Sequence, residues 1–126
     1  LLFVTKTSMC KLVDGREFDV AKRTIASTKL APGDELIFVG SAGEMEQVVL
    51  QSAGGSFLRF LKQEVSTMKK TSIGVRGMRL AEGDHLEHAY LLGGHQEYTI
   101  TFRDRPYVLN KVRLAKRDTK GVRPRV

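Results

Sequence analysis

Two groups of side chains in this sequence have the types and spacing to do chemistry: carboxylates and histidines between 84 and 95, and adjacent cation pairs that recur along the chain. The first group is Asp84, His85, Glu87, His88 and His95, the residue types of a metal centre. The spacing opposes that reading, because strand positions three apart point to opposite faces and His85 and His88 would not share an ion. Cys10 has no Cys-His motif around it and reads as a small buried apolar residue rather than a nucleophile. Ala53-Gly54-Gly55 lacks the Lys-Ser/Thr ending of a phosphate-cradling loop, and a hairpin turn accounts for it. No metal, cofactor or catalytic residue is expected.

The second group is Lys22-Arg23-Thr24, Lys69-Lys70-Thr71 and Lys116-Arg117-Asp118-Thr119-Lys120. Its chemistry is the neutralisation of a polyanion. Each cation set against a phosphate releases condensed counterions, so that log K falls by roughly 0.9 per contact against log salt, with no base edge involved. The charge distribution agrees: of a net +7, residues 1–97 carry twelve Lys/Arg against twelve Asp/Glu, and residues 98–126 carry nine against Asp104 and Asp118. A solvated, charged C-terminal tail is the competing explanation.

The cation pairs belong to a repeat. Leu30-Ala31-Pro32-Gly33-Asp34-Glu35-Leu36 returns fifty residues later as Leu80-Ala81-Glu82-Gly83-Asp84-His85-Leu86, and Gly74-Val75-Arg76 returns after forty-seven as Gly121-Val122-Arg123. Periods of ~40–50 residues belong to propeller blades or to helical pairs. Tyr98, Ile100 and Phe102 alternate with Glu97, Thr99 and Thr101 at period two, which selects strands. Turn residues punctuate the chain at Asp14-Gly15, Pro32-Gly33-Asp34, Ala53-Gly54-Gly55-Ser56, Gly83-Asp84, Gly93-Gly94 and Asp104-Arg105-Pro106. Strands are expected near 1–5, 9–13, 25–30, 35–39, 47–51, 57–61, 75–80, 85–92, 95–102 and 107–109, with a short helical turn near 63–68. Tyr90, Tyr98 and Tyr107 fall in apolar strand patterns and should be core. The chain is thus one all-β repeat domain of four-stranded units at about 1–44, 45–94 and 95–126, the last incomplete.

Its 126 residues, 41% of them hydrophobic, suffice for one core, and the longest strongly apolar run, 36–39, is far short of the ~20 residues of a membrane helix. A single cysteine makes no internal disulfide and fits a reducing compartment. The start on a strand-like run, without a signal peptide, suggests that sequence precedes it.

The two GD turns, Lys22-Arg23-Thr24, and the run Gly74-Val75-Arg76-Gly77-Met78-Arg79-Leu80 together resemble the C-terminal domain of the A subunit of bacterial type IIA topoisomerases, the family of DNA gyrase and topoisomerase IV. The resemblance extends through nearly all of the chain. It implies a β-pinwheel, a propeller-like disc of four-stranded blades, whose basic rim binds and bends duplex DNA. It also implies a cytoplasmic, nucleoid-associated protein whose partners are the rest of the A subunit, with the ATPase B subunit engaged through it. The DNA-cleaving tyrosine of the family lies outside anything matched here, so no catalysis is expected of this chain alone. The gyrase-defining Gln-Arg-Arg-Gly-Gly-Lys-Gly box is absent, but it belongs to an early blade, so the two enzymes are not separated.

The expected DNA-binding rim is Lys22, Arg23, Lys69, Lys70, Lys116, Arg117 and Lys120, supported by Arg76, Arg79 and Arg123. For Arg76 and Arg123, hydrogen bonding to strand ends is the alternative. The GD turns read as turn chemistry, with Gly at positive φ, and their acidic corners are expected at the opposite end of the strands from the basic loops. Two other readings stay open: a non-catalytic interaction propeller docking acidic partners on its basic edge, and an enzyme using the His-carboxylate cluster. Open strand edges would also favour self-association.

Overall fold

The computed structural model describes residues 1–13, 33–40, 43, 45–65, 67–68, 74–93 and 97–123. The expected strand at 25–30, the pairs Lys22-Arg23 and Lys69-Lys70, and His95 lie outside them.

The strands are β1 (Leu2–Thr5), β2 (Met9–Val13), β3 (Leu36–Gly40), β4 (Gln47–Ser52), β5 (Phe57–Leu61), β6 (Thr67–Met68), β7 (Val75–Arg76), β8 (Leu86–Leu92), β9 (Thr99–Phe102) and β10 (Arg105–Val108). Single 3-10 turns at Lys62–Glu64 and Leu109–Lys111 end β5 and β10. The all-β expectation holds. The strand expected at 75–80 stops at Arg76: the Gly77 N–H still donates to the Ser8 carbonyl in register, but Ser8 has a φ of 73° and the Gly77 carbonyl turns to accept from the Asp118 N–H. The expected helical turn is shorter and earlier, at Lys62–Glu64. Of the strands expected at 95–102 and 107–109, the first begins only at Thr99, as β9, and the second starts earlier, at Arg105, as β10, with Leu109 already in the following turn.

Two sheets follow one plan. In the first, the order is β3-β1-β2-β6, with β7 also pairing β2; in the second, it is β5-β4-β8. Leu2 faces Leu12 and Val49 faces Arg59, so the two hairpins superpose with a shift of forty-seven residues. The two strands that close the first sheet on β2 come from the following sequence unit: β6 runs parallel to β2, and β7 antiparallel. The second sheet is closed in the same way, by a parallel bridge from Arg59 to Leu114 and an antiparallel bridge from Phe57 to Val122. Each sheet is therefore stitched to the next unit of the chain. A third sheet, β10-β9, is a hairpin turning on Arg103 and Asp104, at φ 53 and 64.

The core forms two layers, one on each face of the second sheet. Val48 and Leu50 pack with Leu2, Val4, Leu58, Phe60 and Leu86 toward the first sheet. Val49 packs with Phe57, Leu92, Leu109 and Val112 toward the third, against the half-buried Tyr90, Tyr98 and Tyr107. β4 is buried on both faces and so reads Val48-Val49-Leu50 without a polar break, whereas β9 has one core face and alternates. Phe57 anchors the second layer, its ring 5.0 Å from those of Phe102 and Tyr107. Full burial of such a ring contributes ~1.5–3 kcal/mol.

Candidate nucleic-acid interface

The third basic loop, 114–122, is the copy described throughout, and its placement follows from the stitching. Leu114 and Val122 pin its ends to β5. Its middle lies against the segment after β7: Thr119 bridges Met78, the Asp118 N–H donates to the Gly77 carbonyl at 2.5 Å, and the Arg79 N–H donates to the Thr119 carbonyl at 2.7 Å. The basic loop thus occupies the seam between consecutive units, where Arg76 and Arg79 also lie.

Glycine makes the stitching possible. Gly74 and Gly121 have φ of 108° and 77°, and a Cβ on either would run into a backbone carbonyl, that of Cys10 or that of Phe57. The repeated Gly-Val-Arg is therefore a close approach, then a pairing residue, then a cation at the end of the paired stretch.

The cations of the seam divide by their partners. Arg117 is half-buried and committed to the fold: its N–H donates to Glu64 Oε1 at 2.8 Å, its Nε to the Glu64 carbonyl at 3.1 Å, and its Nη1 to the Arg76 carbonyl at 2.7 Å. Arg76 pairs with Asp118, Nε to Oδ1 at 2.6 Å, and Arg79 Nε lies 3.8 Å from the same oxygen. The guanidinium of Arg76 is thus set against a carboxylate rather than the strand end of the alternative reading. The hydrogen bond from Arg76 holds the Asp118 carboxyl below its ordinary range, aided by the charges of Arg76, Arg79 and Arg117. Lys116, Lys120 and Arg123 are exposed, and among the described residues their side chains have no hydrogen bond or ion pair.

Arg79, Lys120 and Arg123 line one cavity of about 340 Å³ at the seam, and Asp84 lines it too. This corrects the expected separation of acidic corners from basic residues: the stitched loop returns to the GD corner of the neighbouring sheet. Arg113 was missed in the sequence because it lies outside the repeated pair. It borders a second groove, of about 290 Å³, with Lys120 and the exposed Leu114 and Val122.

The GD aspartates are structural clasps. Gly33 and Gly83 both have φ of 80°. Asp34 accepts from the Thr7 N–H (3.0 Å) and hydroxyl (2.6 Å), and Asp84 from the Gly54 N–H (2.9 Å), so each ties the hairpin turn of its own sheet. Burial raises both carboxyl pKa values, but the hydrogen bonds outweigh it and both lie below the ordinary value.

His85 and His88 border one open groove with Lys6 and Glu35, not opposite faces. The reason is a register shift between Gln51 and Ser52, which pair with His88 and Leu86 and leave Glu87 extra. Among the described residues no three His, Cys, Asp or Glu groups are placed to hold a metal. Cys10 is fully buried, and burial pushes its thiol up to about 12 despite the nearby charge of Arg117. No helix among the described residues is long and apolar enough to cross a membrane.

Consecutive sheets, the first two closed by segments of the next unit and the second of them along a cationic seam, define a propeller-like β-pinwheel. The chain belongs to the family described as DNA gyrase C-terminal domain, beta-propeller, which it matches over residues 1–42 and 46–92. It is 33% identical over 84 residues to the DNA gyrase A subunit of Deinococcus deserti, a match covering 66% of this chain and 10% of that protein. It is 46% identical over 56 residues to the DNA gyrase A subunit of Escherichia coli K12, covering 44% of this chain and 6% of that protein. The chain therefore spans about a tenth or less of the length of these relatives. The crystal structure of the C-terminal domain of DNA topoisomerase IV superposes with a TM-score of 0.78 at 28% identity, covering 96% of this chain and 39% of that one. A DNA gyrase A C-terminal domain superposes at 0.74 and 20% identity, over 96% of this chain and 41% of that one, and shares the fold.

Proposed function

We propose that this chain binds and bends duplex DNA without sequence preference, as the C-terminal module of the A subunit of a type IIA topoisomerase. The observation that carries the reading is the seam itself, where Arg79, Lys120 and Arg123 converge on one cavity. The repeat carries the argument to the pairs Lys22-Arg23 and Lys69-Lys70, which would set similar clusters at successive seams. Evenly spaced cations suit a bent polyanion. Bending costs of order 1–6 kcal/mol for 40–90° over 20–30 bp, so several clusters must act together.

In this reading the blades divide near 1–44, 45–94 and 95–126. The partners are duplex DNA and the rest of the A subunit, with the ATPase B subunit engaged through it, in the cytoplasm at the nucleoid. The chain binds DNA while strand cleavage belongs to other parts of the enzyme. The test is binding to duplexes of about 20 and 150 bp, with a Lys69→Ala, Lys70→Ala double variant alongside. Tighter binding to the longer duplex, with that advantage reduced in the variant, supports tracking along several seams. Equal affinity for both lengths, unchanged in the variant, would favour a basic edge that docks acidic proteins.

A further inference from the structure

Asp118 occupies the position held by Thr24 and Thr71 in the two earlier basic loops, directly after the cation pair. An anion therefore stands where the repeat elsewhere has a neutral residue. It is held in place: its N–H donates to the Gly77 carbonyl, and its φ of 65° fixes the turn. Its Oδ1 lies 2.6 Å from Arg76 Nε and 3.8 Å from Arg79 Nε, and its Oδ2 is 3.4 Å from Arg76 Nη2. Both guanidiniums have more than half of their side-chain surface exposed, 52% and 55%, so they face solvent with a carboxylate already in attendance.

We propose that Asp118 is a built-in competitor for DNA phosphates, holding Arg76 and Arg79 and making this seam a weaker DNA contact than the two whose loops carry Thr. The proposal rests on the reading of the seam as a DNA-binding surface. A phosphate approaching Arg76 meets the repulsion of Asp118 and must displace it as hydrogen-bond acceptor. An exposed ion pair is a weak restraint, so Asp118 grades the affinity and does not block binding. Neighbouring Arg117 is not free to replace Arg76 and Arg79 as a hydrogen-bond donor to phosphate, since its guanidinium donates to the carbonyls of Glu64 and Arg76, although its charge still acts on Asp118.

The experiment measures the affinity of a 150-bp duplex for the whole chain across a salt series. Asn is the replacement of choice, because it keeps the shape of Asp and tolerates positive φ, which a β-branched Thr does not. Asp118→Gly, also compatible with that φ, is the second variant. Asp104→Asn is the charge-matched control, since Asp104 also has positive φ, at the β9–β10 turn. Asp118→Asn and Asp118→Gly are expected to bind about three- to tenfold tighter near 0.1 M salt, with a log–log slope steeper by roughly one to two contacts at ~0.9 each. Asp104→Asn should change less. Arg76→Ala should weaken binding more in the Asp118→Asn background than in the parent. Unchanged or weaker binding by both Asp118 variants, an equal gain from Asp104→Asn, or an equal cost of Arg76→Ala in both backgrounds overturns the proposal while the parent still binds. A parent with no salt-dependent binding overturns the DNA reading itself, and the proposal with it.

Discussion

Arg117 and Glu64 hold each other twice across the seam: the Arg117 N–H donates to the Glu64 carboxylate at 2.8 Å, and its guanidinium donates to the Glu64 carbonyl at 3.1 Å. The second member of the third cation pair is thus a fastening between units. Arg117→Ala should lower stability by ~1–2 kcal/mol, since it removes charge-assisted hydrogen bonds in a partly buried place. Lys116→Ala, at an exposed side chain, should cost within about 0.5 kcal/mol. Urea unfolding followed by tyrosine fluorescence separates the two; equal small costs would mean that Arg117 is a free surface cation.

The two close-approach glycines should be among the least replaceable positions. Gly74→Ala and Gly121→Ala each combine positive φ with a Cβ against a backbone carbonyl, and should cost ~2–3 kcal/mol. Gly33→Ala meets nothing within 4 Å and should cost about 1 kcal/mol, from conformation alone. Thermal or chemical unfolding checks the order, which inverts if the stitching strands are not a cooperative part of the fold.

Acid should loosen the GD clasps. Asp34 and Asp84 have folded pKa values below 3.8, so their contribution is present above that value and fades as the pH falls through the lower folded values. An acid titration of stability should show Asp84→Asn less sensitive than the parent below about pH 4. An identical acid dependence would mean that the Asp84 carboxylate does not clasp its turn.

The hairpins β1–β2 and β4–β5 were legible because alternation and turn residues mark them locally. The stitching was not: β6 and β7 are two residues long, and their pairing with β2 is decided by tertiary contact rather than by pattern. The β9–β10 turn, expected at Asp104-Arg105-Pro106, falls one residue earlier, because Arg103 and Asp104 adopt the positive φ that composition associates with Gly and Asn. In the seam, sequence located the cations but not their partners. It grouped Arg117 with Lys120, although one is bound to carbonyls and the other has no partner among the described residues. The shared groove of His85 and His88 was missed because strict alternation does not anticipate a bulge.

Whether the seam cations meet DNA phosphates is decided by the salt dependence of duplex binding, compared between the parent and a Lys120→Ala, Arg123→Ala double variant. Neither side chain has a partner among the described residues, so stability should change little. The slope of log K against log salt should fall by roughly 1.8, two contacts at ~0.9 each, with no change in sequence preference. A slope identical to the parent's would contradict the assignment of DNA binding to this seam.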